Sequence, residues 1–343
     1  MKVALHNGIN GMEIISKPMP KLQKDEVLVK VKATGICGSD LLHYKKNSHF
    51  EKKPGGHEIS GEIVDLGPGS PKELFGLNVA VDLICSGGAC FKCWFCLKGQ
   101  YNCCENSQKG YGGGFSEFLV SKYQGCYKLL EGMSFSDGAL VEPLAVSIHA
   151  IRRSKMSIGD SVAVIGTGNI GLTSIIAAKS LGCGKIFVTS KHKQQAKLAK
   201  YLGAEIFDPS DKNFKEMILE FTSGKGVDIS IETVGGESPS TLEQAIEVTR
   251  NQGKVVVLGG FLSPITTDWI KPLVKEQEII FSHCYSLIEE KHDFDLAIDL
   301  ISKEKDLFSR FVTDEFPLDE INQAFSTAYD KTNGSIKVQI LER

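Results

Sequence analysis

Two patterns of apolar and polar positions divide the chain. From residue 2 to about residue 146, apolar residues alternate in short runs broken by glycine and proline. In Glu26-Val27-Leu28-Val29-Lys30-Val31-Lys32, for example, Val27, Val29 and Val31 share one face. Similar runs cover 59–64, 79–84 and 115–120, and many short strands between turn signals predict a mainly antiparallel, barrel-like domain. After Asp160, apolar strands at 161–165, 185–189, 205–207, 227–233, 254–258 and 278–282 alternate with helical segments at 172–181, 193–202, 214–221 and 242–249. That alternation predicts a parallel sheet covered on both faces, and six strands complete a doubly wound dinucleotide fold. The expected fold class is therefore α/β, with a boundary between 145 and 160. A helix is expected at 293–302. The final strand-like run at 335–340 is expected to rejoin the first domain, because the parallel sheet is already full. The organisation this gives is 1–146, 147–288 and a returning segment 289–343.

Composition narrows the class. A chain of 343 residues with 42% hydrophobic content is long enough for two cores. A formal net charge of −3 supplies no basic field for a phosphate backbone, so a nucleic-acid partner is not expected. No stretch approaches the run of apolar residues that spans a bilayer, and Met1-Lys2-Val3-Ala4-Leu5-His6 lacks the apolar core of a secretory signal, so a cytoplasmic protein without a membrane partner is expected. In such a chain the ten cysteines are expected to include metal ligands rather than a disulfide framework.

Two groups of residues carry metal chemistry. Cys37-Gly38-Ser39-Asp40 and Gly55-Gly56-His57-Glu58, joined by a polar loop, supply a thiolate, an imidazole and a carboxylate that suit one zinc with a position left open. Taken alone, the trio is equally explained by a buried cysteine, a core histidine and a solvated charge. Cys90, Cys93 and Cys96, followed by Cys103-Cys104, are enough to close a tetrahedral structural zinc, with an iron–sulfur cluster as the alternative. In the second half, Gly166-Thr167-Gly168-Asn169-Ile170-Gly171 lies between a strand and a helix. Its glycines suit a tight turn, the close approach of a pyrophosphate and helix-on-strand packing. At the end of the next strand, where an acid would bind the 2′-hydroxyl of NAD, the chain has Ser190-Lys191-His192-Lys193. A hydroxyl at Ser190 with positive charge at Lys191 or Lys193 predicts a preference for NADP over NAD. Gly110-Tyr111-Gly112-Gly113-Gly114-Phe115 reads as a turn into a strand. Glu142, ahead of Pro143 and an apolar helix at 147–152, reads locally as a helix N-terminal charge.

Together with Pro317-Leu318-Asp319-Glu320, these motifs resemble the zinc-dependent medium-chain dehydrogenase/reductase family, in particular its sorbitol, threonine and polyol dehydrogenase branch. The resemblance implies a GroES-like catalytic domain with a structural zinc lobe at about 85–105, an inserted Rossmann domain, and an active site in the cleft between them. Cys37 and His57 match the ligands of a catalytic zinc. Glu58 matches the acid after the histidine, and Glu142 the acid that some members use as ligand or as partner of the metal-bound water. Glu58, Glu142 and water all stand as candidates to complete that shell. Cys90, Cys93, Cys96 and Cys104 match the structural zinc ligands, and Ser39 the hydroxyl that relays the substrate proton. Members often carry a relay histidine five residues after the first cysteine; this chain has Leu42 there, leaving His43 or His49 as substitutes. The implied reaction is reversible oxidation of a secondary alcohol, polyol or sugar-derived, to a ketone. Zinc acts as Lewis acid and the nicotinamide takes the hydride. A primary alcohol or aldehyde reductase, and a nucleotide-binding protein without chemistry, are the alternatives. Family members also imply a homodimer or homotetramer.

Overall fold

The computed structural model describes residues 1–7, 11–46, 55–107, 112–210 and 213–342, with the side chains of 43, 45 and 46 also outside the description. It divides into two compact units, Met1–Ala145 with Cys284–Arg343, and Val146–His283. Among the described residues no helix is long and apolar enough to cross a membrane.

The first unit is built on the strand Glu26–Gly35, whose alternating valines give it one wholly apolar face. It pairs antiparallel with Glu58–Leu66, with Phe118–Lys122 and with the C-terminal strand Lys337–Leu341. The full sheet has seven strands, and Asn78–Val81, Cys126–Lys128 and Val312–Phe316 complete it. Val27, Val29 and Val31 meet Ile59, Ile63, Val79, Val81 and Leu119 in one core. A second core lies under the helix Ile321–Tyr329, where Ile321, Ala324 and Phe325 pack on Val338 and Ile340 of the C-terminal strand and on Phe115.

The second unit holds six strands, all parallel, in the order Glu205–Phe207, Ile186–Thr189, Val162–Ile165, Val227–Glu232, Thr249–Val257, Glu278–Phe281. Numbered by sequence that order is 3-2-1-4-5-6, the doubly wound arrangement of dinucleotide-binding folds. Helices Asn169–Ser180, Lys193–Tyr201, Phe214–Phe221 and Ser240–Val248 connect the strands. The strands read as continuous apolar runs because helices cover both faces of the sheet.

Two local expectations change. The polar stretch after Asp40 opens as a helix, Gly38–Lys46, because the Asp40 carboxylate accepts the Cys37 N–H (2.9 Å), satisfying a donor at the helix start. Leu41 and Tyr44 then pack against the second core. The helix expected at 147–152 runs over Val141–Ser154 and takes in Glu142 and Pro143, since a proline in the first turn removes no intrahelical hydrogen bond. Replacing Ile340 with Ala should remove a buried anchor of the returning strand and lower stability by about 2–5 kcal/mol, measured by urea denaturation.

Candidate metal centres and dinucleotide turn

Strand pairing assembles the first site. Gly35 at the end of one strand lies opposite Glu58 at the start of the next, so Cys37, just beyond the first, comes beside His57 and Glu58. One ligand atom from each of the three lies within 4.8 Å of the other two. Two glycines make this approach possible. A Cβ on Gly35 would overlap Glu58 Oε2, and Gly56 has φ +83° with Thr34 Cγ2 only 2.8 Å from where its Cβ would stand. Asp40 ties the two arms together. Besides the Cys37 N–H it accepts the Gly56 N–H at 3.4 Å, and its Oδ1 lies 4.0 Å from His57 Nδ1.

The electrostatics are those of an anionic pocket. Burial works against a charged His57, yet the Cys37 thiolate, then Asp40 and Glu142, hold its pKa well above the usual histidine range. Glu142 is pushed far above the carboxylate range by burial, reinforced by Glu58 and Cys37 against the pull of His57. Glu142 therefore faces the trio but stands outside the set within 4.8 Å. Glu58 is paired with Lys337 of the C-terminal strand, both side chains being almost wholly buried. Lys337 Nζ also donates to the Ile36 carbonyl at 3.0 Å. A thiolate, an imidazole and carboxylates brought together attract a proton in the absence of a metal, and that donor set fits a divalent cation such as zinc.

Ser39 lies exposed in the first turn of the helix Gly38–Lys46, followed by Leu42, which is 42% exposed. His43 is on the same helix, its side chain outside the described residues, and His49 also lies outside them. Sequence reasoning assigned no role to Asp40 or Lys337. Lys337 did leave a signal, since a lysine within an apolar strand-like run needs a buried anion as partner.

The second cluster is local. Cys90, Cys93, Cys96 and Cys104 have sulfurs within 4.8 Å of one another, whereas Cys103 is exposed and outside the set. Backbone donors point at the sulfurs: the Cys93 N–H at Cys90 Sγ (3.4 Å) and the Cys90 N–H at Cys104 Sγ (3.3 Å). The N–H groups of Lys92 and Cys93 lower the Cys90 pKa to about 6, and those of Cys96 and Glu105 lower that of Cys93. Burial raises Cys96 to about 12, so this inner thiol holds its proton more tightly than Cys90 and Cys93. Four convergent sulfurs fit a structural zinc.

In the second unit Gly166 turns the chain at φ +95° and a Cβ on Gly171 would overlap the Gly166 carbonyl, so helix Asn169–Ser180 packs hard against the turn. Gly168 is its N-cap with no side chain bonded to the helix start, and a Cβ there would meet nothing within 4 Å. A helix start without a side-chain cap, beside open space at Gly168, fits a pyrophosphate. Asn169 Oδ1 is buried without a hydrogen-bond partner, and the Ile170 carbonyl accepts from Ser174 Oγ at 2.7 Å. The Gly166 N–H donates to Thr189 Oγ1 (2.9 Å), and Thr167 Oγ1 donates to Ser190 Oγ (2.5 Å), which donates to the His192 carbonyl at 3.3 Å. Ser190 thus sits in a buried chain that links the fingerprint turn to the next strand. Lys191 and Lys193 are the exposed cations beside it.

A dinucleotide fold joined in one chain to a GroES-like unit that holds a thiolate–imidazole–carboxylate pocket and a four-thiol lobe defines the class of zinc-type alcohol dehydrogenases. Residues 23–131 match the family model described as alcohol dehydrogenase GroES-like domain, and residues 169–303 match zinc-binding dehydrogenase. The sorbitol dehydrogenase of Bacillus subtilis is 30% identical over 99% of this chain and 97% of its own length. A short chain alcohol dehydrogenase from Escherichia coli CFT073, solved with NADH, superposes with a TM-score of 0.87 at 26% identity over 100% of this chain and 99% of that one. A zinc-binding dehydrogenase from Sinorhizobium meliloti 1021, bound to NADP, gives 0.84 at 26% identity over 99% and 98%. The chain belongs to the zinc-dependent medium-chain dehydrogenase/reductase family, within the alcohol dehydrogenase superfamily.

The geometry separates the two adjacent cysteines. Cys104→Ser should lose about one zinc per chain and unfold at a lower temperature, whereas Cys103→Ser should keep full zinc content, read by metal analysis and thermal denaturation.

Proposed function

We propose that this protein reversibly oxidises a secondary alcohol, on a polyol or sugar-derived substrate, to its ketone, using NADP in preference to NAD. The observation that carries this reading is the converging set of half-buried Cys37 and His57 and buried Glu58, with Asp40 and Glu142 around it. Full-length similarity to a sorbitol dehydrogenase supports the substrate class. When bound, zinc at Cys37 and His57 supplies Lewis acidity and the dinucleotide takes the hydride.

The chain's own groups do the rest. Asp40 holds the Cys37 loop and the Gly56-His57 arm in one geometry. Lys337 compensates the charge of Glu58, so that this carboxylate stays buried beside the metal ligands. Ser39, exposed at the helix start, takes the proton of the substrate hydroxyl and passes it outward, and His43 is a candidate for the next step on the same helix. Glu142, whose pKa burial pushes far above the carboxylate range, is with Glu58 and water a candidate to complete the shell of a zinc held by Cys37 and His57. For the cofactor, Lys191 and Lys193 at the helix start after Ser190, without a carboxylate, support the NADP preference. One edge of the parallel sheet supports self-association, as a homodimer or homotetramer. Among the described residues the strand Glu278–Phe281 is paired on one side, Phe281 is exposed, and the preceding helix Ile270–Val274 exposes Ile270, Leu273 and Val274.

Cys37→Ser or His57→Ala should abolish alcohol oxidation, assayed with polyols, sugar alcohols and simple secondary alcohols, while NADPH binding persists. Activity retained in either variant would end the zinc mechanism. The kcat/KM for NADP⁺ should exceed that for NAD⁺, and the reverse order would overturn the cofactor preference.

The raised His57 pKa sets the pH dependence of metal uptake. His57 must lose its proton to bind zinc, so affinity for the first site should fall as pH is lowered and uptake should release protons, both measurable by titration calorimetry in two buffers.

A further inference from the structure

Glu232 is the last residue of the strand Val227–Glu232 and lies opposite Ile165 of the first strand and Val257 of the fifth. In the strand order of this sheet, that is the reversal point where a doubly wound fold opens its ligand crevice. The side chain is 0% exposed, and among the described residues no cation pairs with it. A carboxylate at this depth without a counter-charge is costly, so what it holds must repay burial.

What it holds is backbone. Glu232 Oε1 accepts the N–H groups of Val234 (2.9 Å) and Gly235 (2.8 Å), while Oε2 is buried with no partner. Its main-chain carbonyl accepts from Leu258 (2.9 Å) and Gly259 (3.1 Å). One residue therefore anchors the turns that follow the fourth and fifth strands. These turns are back to back: the Gly236 N–H donates to the Gly260 carbonyl at 2.9 Å, Gly235 and Gly236 have φ of +63° and +99°, and a Cβ on Gly259 would overlap Glu232 Oε2. The first turn also abuts the glycine fingerprint. Thr233 Oγ1 donates to the Ile165 carbonyl (2.9 Å), and Val234 Cγ2 lies 2.5 Å from where a Cβ on Gly166 would stand.

We propose that Glu232 is a positioning residue for the dinucleotide, fixing the wall of turns 233–236 and 258–260 against which the nicotinamide half of the cofactor lies. The half is assigned by topology. The adenosine ribose is read at the end of the second strand, so strands four to six serve the other mononucleotide. This inference rests on the proposed dinucleotide-dependent function. It makes a particular demand: shifting the 233–236 turn weakens ligands that carry the nicotinamide half and spares those that lack it.

Zinc-loaded wild type and the variants Glu232→Ala, Glu232→Asp and Glu232→Gln would be titrated with NADPH and with 2′,5′-ADP, and with NADH and ADP in parallel. In the Ala and Asp variants two backbone donors lose their acceptor, and Kd for the reduced dinucleotides should rise about tenfold or more, while Kd for 2′,5′-ADP and ADP stays within about twofold. Glu232→Gln keeps an acceptor for both N–H groups and turns its amide toward the side of the unpartnered Oε2, so it should bind close to wild type. The Asp variant, one methylene shorter, carries the same test if Ala does not fold. Dinucleotide affinity unchanged in Ala and Asp, or equal losses for dinucleotides and fragments, would overturn the positioning role and leave the functional reading standing. A wild type that binds neither NADPH nor NADH would overturn that reading, and this inference with it.

Discussion

A buried ion pair between Glu58 and Lys337 joins the start of the metal site to the end of the chain. Removing one partner of such a pair strands an unpaired charge in a low-dielectric interior, a loss of about 3–5 kcal/mol, although the pair itself contributes little net stability. Its consequence is therefore one of arrangement. Glu58 keeps its position beside Cys37 and His57 only if Lys337 is delivered, and Lys337 is delivered by the pairing of Lys337–Leu341 with Glu26–Gly35. The same long strand pairs with Glu58–Leu66. Two pairings on one strand thus set the thiolate, the imidazole, the carboxylate and its counter-charge.

The two metal centres are built on opposite principles. Cys90, Cys93, Cys96 and Cys104 lie on one short segment whose own N–H groups face the sulfurs, so the site forms wherever that segment folds. The Cys37 site draws on two strands, a helix start and the C-terminal strand, and concentrates negative charge in a buried volume. The first arrangement suits a closed structural ion. The second suits an ion whose surroundings must tune its chemistry.

Gly168 and Glu232 show a comparable division in the dinucleotide unit. Gly168 leaves space at a helix start without a side-chain cap, a property of the local turn. Glu232 acts through hydrogen bonds to turns that follow two different strands, so its contribution exists only once the sheet has been assembled in its reversed order.

The amino-acid sequence by itself determined what depends on short range. Alternation of Val27, Val29 and Val31, the apolar runs of the parallel sheet, the cysteine spacing of the lobe and the glycine fingerprint each lie within one strand, loop or turn, so their periods and spacings carry the two-part α/β architecture. Tertiary structure decided what depends on which distant residues become neighbours. Asp40 bridges two arms of the site, Lys337 returns from the far end of the chain, and Ser190 turns its hydroxyl into a buried chain with Thr167. The physical reason is that burial and hydrogen-bond partnership follow from strand register and sheet order. Asp40 looks like an ordinary surface polar residue in the one-dimensional pattern, and the Gly56 arm bound by Asp40, the Glu58 partner of Lys337 and the Thr167 partner of Ser190 are acquired only when the strands pair.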